Sequence, residues 1–342
     1  MKSELLPTPK ELSLTQIMCR FAPDSSEELT DPDRKGREYL EAIRWPNGPV
    51  CPHCKNAEQS KIWKIEGNRD KKIRHGLYHC KECDKQFTVM VGTIFTDSHI
   101  PLWKWLVAWY LICNAKKGVS AKQIQRALGF GSYRTAWMMM HKIRHTMAEP
   151  AFNMPMRGVL EMDEMYYGPN PKKDKRGNLL EKGFRKGSSK IPILALVKRG
   201  GGVRTQVLAK VTPKNLRHFM WANANKVSVL NTDESNLYRP IGRAFRRHDT
   251  VVHRRKQYAK QNADGTVSHV NTAESFFSLL RRGLSGSFHH VSKEHLFRYC
   301  DEFAFRWNLR HVTDGERFIA GLNKIEGKRL AYKQPTETQK PE

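Results

Sequence analysis

Two aspartates that end apolar segments carry the most chemical potential in this chain. Val159, Leu160 and Met162 lead up to Asp163, and a Gly-Pro-Asn turn begins at Gly168. Val227, Val229 and Leu230 lead in the same way to Asp233 within Lys226–Tyr238. A short apolar run bounded by turn residues reads as a buried strand. A carboxylate there needs a partner, because an unpaired buried charge is costly. Water or an arginine is one such partner, and a metal ion is another. A third acid, Glu274, opens the helical stretch Asn271–Arg282. Two strand-end aspartates and a helix glutamate make up the ligand set of two-metal phosphoryl transfer, in which paired cations clamp the attacking and leaving oxygens.

The elements that must position these acids follow one another in a definite order. After the strand ending at Asp163 comes Gly168–Lys190, rich in Lys, Arg and Gly, which reads as a long loop suited to ordering on nucleic acid. Ile191–Lys198 and Val203–Val211 form an expected hairpin about Gly200-Gly201-Gly202. Thr212 as N-cap and Pro213 in the first turn open a helix through Trp221. The strand to Asp233 and the helix with Glu274 complete the order of a ribonuclease-H-like α/β core with a mixed sheet. There the first and fourth strands lie side by side and bring Asp163 to Asp233. Arg281 falls two turns beyond Glu274 on the same face. Asn271 and Glu274 also fit a capping box, which would leave Asn271 nearest the metals. A last helix, Lys293–Arg310, presents Leu296, Tyr299, Phe303 and Trp307 for packing.

Four of the seven cysteines, Cys51, Cys54, Cys80 and Cys83, form two C-x-x-C pairs. Two such knuckles flanking strand-like segments supply four thiolates for tetrahedral zinc. His53 and His79 stand beside them and read as bystanders. A module with so little core should couple folding to metal binding. The three scattered cysteines argue against a disulfide framework and for a reducing compartment.

Residues 99–148 read as helical. Leu102, Trp105, Leu106, Trp109 and Ile112 recur on one apolar face. Ser120 caps a second helix, and a glycine turn at 129–131 leads to a third from about Tyr133 to Met147. Helix, turn, helix is the arrangement whose second helix would offer Tyr133, Arg134, His141 and Lys142 to a DNA groove; a helical hairpin without that role has the same pattern.

A net charge of +26 and an isoelectric point near 9.9 exclude an ordinary metabolic enzyme and point to a polyanion, of which double-stranded DNA is the usual one. The run from Arg239 to Lys260, with Arg246, Arg247, Arg254 and Arg255, is dense enough to suggest phosphate contact. No run of about 18 apolar residues and no leader-like apolar start is visible, so no membrane is expected.

Taken together, CPHC with CKEC, LEMDEMYYG, NTDESNLY, HVNTAESFFSLLRRG and GSFHHVSKEHLFRYCDEFAFRWNLR resemble the IS1595 family (the ISXO2-like group) of bacterial insertion-sequence transposases, over about residues 10–325. The resemblance implies a multi-domain α+β protein: a lead-in at 1–44, a zinc ribbon at 45–95, a helical DNA-binding region at 99–148, a DDE catalytic domain at 155–312 and a partly disordered tail at 313–342. It implies Asp163, Asp233 and Glu274 as an acidic triad using Mg²⁺ or Mn²⁺, with Zn²⁺ on the four cysteines. Arg281 and Arg282 join the DNA-contacting residues. Where the family carries a lysine after the third acid, this chain has arginine, which keeps the charge but not the geometry. The implied activity is binding, cutting and joining of DNA at element ends, by a homo-oligomer acting at the bacterial nucleoid in the cytoplasm. A regulator with a dead nuclease domain, or a nuclease that does not join strands, would share most of these features.

Overall fold

The structure, a computed structural model, describes residues 13–68, 70–148, 154–168, 190–252 and 258–331. Arg254, Arg255 and the loop at 169–189 therefore lie outside the described residues, as does the tail beyond 331. The chain divides into two compact units, one of residues 1–148 with 309–342 and one of residues 149–308.

The first unit opens with three helices, α1 (Leu14–Phe21), α2 (Ser25–Thr30) and α3 (Arg34–Arg44). Ser13 and Asp24 begin α1 and α2 with capping boxes. Phe21 packs edge-on against Tyr39 at 4.8 Å between ring centres, and Tyr39 stacks on Phe318 at 6.3 Å. The described lead-in is thus packed core. A three-stranded antiparallel sheet follows, β1 (Ile62–Ile65), β2 (Leu77–Cys80) and β3 (Lys85–Phe87). Next come α4 (Leu102–Asn114), α5 (Ala121–Ala127) and α6 (Tyr133–Met147). Ser120 caps α5, accepting from the Gln123 amide at 3.1 Å. Among the described residues no helix is long and apolar enough to cross a membrane. Helices α1 and α2 were not foreseen, nor was α11 (Asp314–Leu322), which buries Phe318 and Leu322 in this unit.

The second unit is built on a five-stranded mixed sheet. Its strands are β4 (Val159–Tyr167), β5 (Ile191–Lys198), β6 (Val203–Val207), β7 (Val229–Thr232) and β8 (Arg247–Thr250). The order across the sheet is β6-β5-β4-β7-β8. β4 runs antiparallel to β5 and parallel to β7, and β7 runs parallel to β8. A small ribbon of β9 (Lys260–Gln261) and β10 (Val267–Ser268) stands apart.

Side-chain alternation divides this sheet into two faces. Leu160, Met162, Leu194 and Leu196 meet Leu216, Phe219 and Met220 of α7 (Pro213–Asn223), and Ile241 of α8 (Arg239–Gly242). Met165, Ile193, Ala195 and Val197 meet Phe276, Phe277 and Leu280 of α9 (Asn271–Arg282), and Leu296 and Phe303 of α10 (Leu296–Asn308). β5 is buried on both faces, which explains its unbroken apolar sequence. Odd-numbered residues of β4 therefore face α9, and Asp163 is one of them.

Candidate active site

Asp163 stands at the middle of β4, which runs on to Tyr167 rather than ending at the acid, and Asp233 follows the last residue of β7. The parallel pairing runs Val159↔Val229, Leu160↔Leu230, Glu161↔Asn231. Continued along both strands, that register sets Asp233 level with Asp163 and on the same face. Glu274 sits in the first turn of α9. Asp163 feels the charges of both Asp233 and Glu274. Burial pushes the Asp163 carboxyl up to about 7, and the neighbouring Glu164, Asp233 and Glu274 charges add to that rise, against the hydrogen bond it accepts from the Glu164 amide at 2.8 Å.

Local hydrogen bonds fix the two aspartates. The Asp233 carboxylate accepts from the Ser235 amide at 3.0 Å, a turn that holds the residue after the strand. Thr232 donates its hydroxyl to the Asp233 carbonyl at 2.9 Å, and His248 Nε2 lies 2.9 Å from that Thr232 hydroxyl oxygen. His248 fits because position 242 is glycine: a Cβ there would lie 1.9 Å from the ring. On the other face of β4, Glu164 is held by the buried Tyr238, whose hydroxyl donates to it. Burial raises Glu164 above the usual carboxylate range, and the Tyr238 hydrogen bond opposes the rise.

Glu161 was not foreseen as part of this site. It is fully buried (0 % exposed) one alternation before Asp163 on the same face. Its carboxylate accepts from the Thr272 and Ala273 amides at 2.8 and 3.1 Å and from the Thr272 hydroxyl at 2.9 Å. Arg199 Nε donates to it at 3.0 Å, and His269 Nδ1 lies 3.2 Å away. The signal in the sequence was the acid–apolar–acid step of a strand, which puts two acids on one face.

The capping box that Asn271 and Glu274 offered as an alternative does not form. Val270 occupies the cap position without a side-chain bond, which puts Asn271 first in the helix and Glu274 one place too late for the box. Asn271 and Glu274 are both exposed, and the helix start is bonded by Glu161 instead.

Among the described residues, the four cysteines are the one group of three or more His, Cys, Asp or Glu whose ligand atoms all lie within 4.8 Å of each other. Cys51 and Cys83 sulfurs are 3.6 Å apart, and those of Cys54 and Cys80 are 3.7 Å apart. Zinc with bonds of about 2.3 Å would give tetrahedral edges of about 3.8 Å, so the donor set fits zinc. Each knuckle ends in a left-handed residue, Lys55 at φ 64° and Asp84 at φ 54°. Asp163, Asp233 and Glu274 do not form such a close group.

The sites expected to touch DNA divide. Arg134, Arg246, Arg281 and Arg282 are exposed. His141 is not available to a groove: it is 0 % exposed and packs 4.2 Å from the Trp137 ring centre, because the helix turns that face inward. Lys142 is half-buried over the Trp105 ring, and burial lowers its pKa. Arg247 is a clamp rather than a free cation, pairing with Asp249 and Asp264 and donating to Thr266 at 2.7 Å.

Comparison with known proteins gives a consistent picture. The ISXO2-like transposase domain family matches residues 155–308, and the transposase zinc-ribbon domain family matches residues 31–86. An uncharacterized protein in transposable element ISH50 of Halobacterium salinarum is 30% identical over 290 residues, spanning 80% of this chain and 90% of that protein. Among solved structures, the Drosophila P element transposase strand transfer complex aligns with 59% of this chain and 56% of its own at 10% identity. Its TM-score of 0.23 is too low to bear on the fold.

Proposed function

The chain belongs to the IS1595 family of transposases with a zinc ribbon, and from that premise we propose that it cleaves DNA at the ends of its element and joins them to a target. The observation that carries this reading is the half-buried Asp163 carboxyl, raised to about 7 by desolvation and by the charges of Asp233 and Glu274 among its neighbours. A cluster of acids held at such a cost asks for compensating cations. The sheet order and the parallel β4–β7 pair support a ribonuclease-H-like core for it.

In this reading Asp163, Asp233 and Glu274 hold two divalent cations, Mg²⁺ or Mn²⁺. The cations supply Lewis-acid stabilisation of the oxygens that attack and leave. Asp163 and Asp233, fixed by the Glu164 and Ser235 amides, keep the cation sites in place without reorganisation. Tyr238 holds Glu164 away on the opposite face, so the fourth acid supports the strand rather than the reaction. Arg281 and Arg282, exposed at the far end of α9, contact the phosphate backbone of an element end in this reading. Arg134 and the ribbon add sequence-reading and backbone contacts, with zinc on Cys51, Cys54, Cys80 and Cys83 holding the ribbon folded. The working form is a homo-oligomer joining two ends at the nucleoid.

The test begins with selection from random DNA to find the bound end sequence. Labelled ends, a target plasmid and Mg²⁺ or Mn²⁺ should then give covalently joined product, lost in Asp163→Asn protein that still binds the end. Cutting without joining would reduce the protein to a nuclease, and binding without cutting would make it a regulator.

A further inference from the structure

We propose that Glu161 is a positioning residue for the third acid: it locks the start of α9 to the strand that carries Asp163 and so sets where Glu274 stands. The proposal rests on the metal-binding reading of the acidic cluster. Helix α9 lacks any cap of its own, since Val270 makes no side-chain bond. The first amides of a helix have no partner within it. Two of these, Thr272 and Ala273, instead donate to the single buried carboxylate of Glu161 at 2.8 and 3.1 Å, and the Thr272 hydroxyl adds a third bond at 2.9 Å. A negative charge is also favoured at that end by the helix dipole.

The carboxylate is itself fixed from behind. Arg199 donates to it through Nε and uses its other nitrogens on the carbonyls of Val267 at 2.8 Å and His269 at 3.2 Å. Ser268 donates to Asp249 at 2.7 Å, on the next strand but one. The whole approach to α9 is therefore pinned to the sheet through one network whose centre is Glu161. Asp163 lies about 6–7 Å further along the same face of β4. Strand and helix thus share one rigid reference, and Glu274 is carried on it two residues past Thr272. Partners that orient ligands in this way typically change metal affinity about 10–100-fold when removed.

The experiment measures Mn²⁺ binding to the full-length protein by loss of the free-ion electron paramagnetic resonance signal, beside melting temperature in chelator. Glu161→Gln should weaken Mn²⁺ about tenfold or more. In a Glu274→Gln background the same change should have no further effect, because the acid it positions is gone. Phe303→Leu, chosen to lower the melting temperature comparably, should leave Mn²⁺ affinity unaltered. Additive losses in the double variant, or Glu161→Gln protein that binds Mn²⁺ like wild type, would overturn the proposal. Should Glu161→Gln not fold, Thr272→Val removes one of the three bonds, and unaltered affinity there overturns it equally. Wild-type protein that binds no Mn²⁺ would instead bring down the metal reading beneath it.

Discussion

Asp163 on β4 lies within electrostatic reach of Asp233, the residue after the adjacent parallel strand β7, and burial together with the neighbouring acids holds the Asp163 carboxyl at about 7. In the unfolded chain an aspartate ionises near 3.9. The native state therefore keeps a proton that the unfolded state has lost between those values. This group's contribution to stability is fully present below about pH 4 and is lost as pH rises to about 7. In chelator, Asp163→Asn should melt higher than wild type at pH 8, by a difference on the order of a few kcal/mol. The gap should shrink towards pH 5, and equal melting at pH 8 would show that the carboxyl is not under strain. Divalent cation should reverse the order, stabilising wild type alone.

The four thiolates make a separate prediction. Purified protein should carry about one zinc per chain, falling towards zero in a Cys51→Ser, Cys80→Ser double variant. The ribbon should then lose its fold, because such sites contribute folding free energy directly. Undiminished zinc in the double variant would move the site elsewhere.

With no capping box at this helix start, Glu274→Gln should leave the melting temperature in chelator within about 0.5 kcal/mol of wild type. Strand transfer should drop by orders of magnitude. Asn271→Ser should keep most activity. Active Glu274→Gln protein beside inactive Asn271→Ser protein would exchange their roles.

Charge should act at two levels. Affinity for DNA should fall steeply with salt, each neutralised phosphate adding about 0.9 to the slope of log affinity against log salt. Removing Arg281 and Arg282 together should flatten that slope while leaving melting unchanged. Arg247→Ala should do the opposite, lowering melting by perturbing the Asp249–Asp264 clamp and leaving the salt slope almost as it was. A flattened slope in Arg247→Ala would return that residue to the DNA-contacting set.

Much of this protein is written locally. The spacing of Cys51, Cys54, Cys80 and Cys83 is enough to specify a tetrahedral thiolate cage, because each knuckle is a short-range turn and the donor chemistry is that of the thiolates alone. Ser120 and Thr212 announce their helices for the same reason, since a cap bonds an amide three residues away. The strands that carry Asp163 and lead up to Asp233 are legible from their apolar runs, although β4 continues past Asp163 to Tyr167. Tertiary structure decided what those runs could not. Asn271 and Glu274 have the spacing of a capping box, yet the helix starts one residue earlier, at Asn271, and takes its bonds from Glu161, which lies 111 residues from Thr272. His141 and Arg247 look like cations for DNA, and only packing turns one inward onto Trp137 and ties the other to two aspartates. A residue's type fixes what it can bond to; which neighbour it meets depends on strands and helices brought together across the chain by burial of their apolar faces.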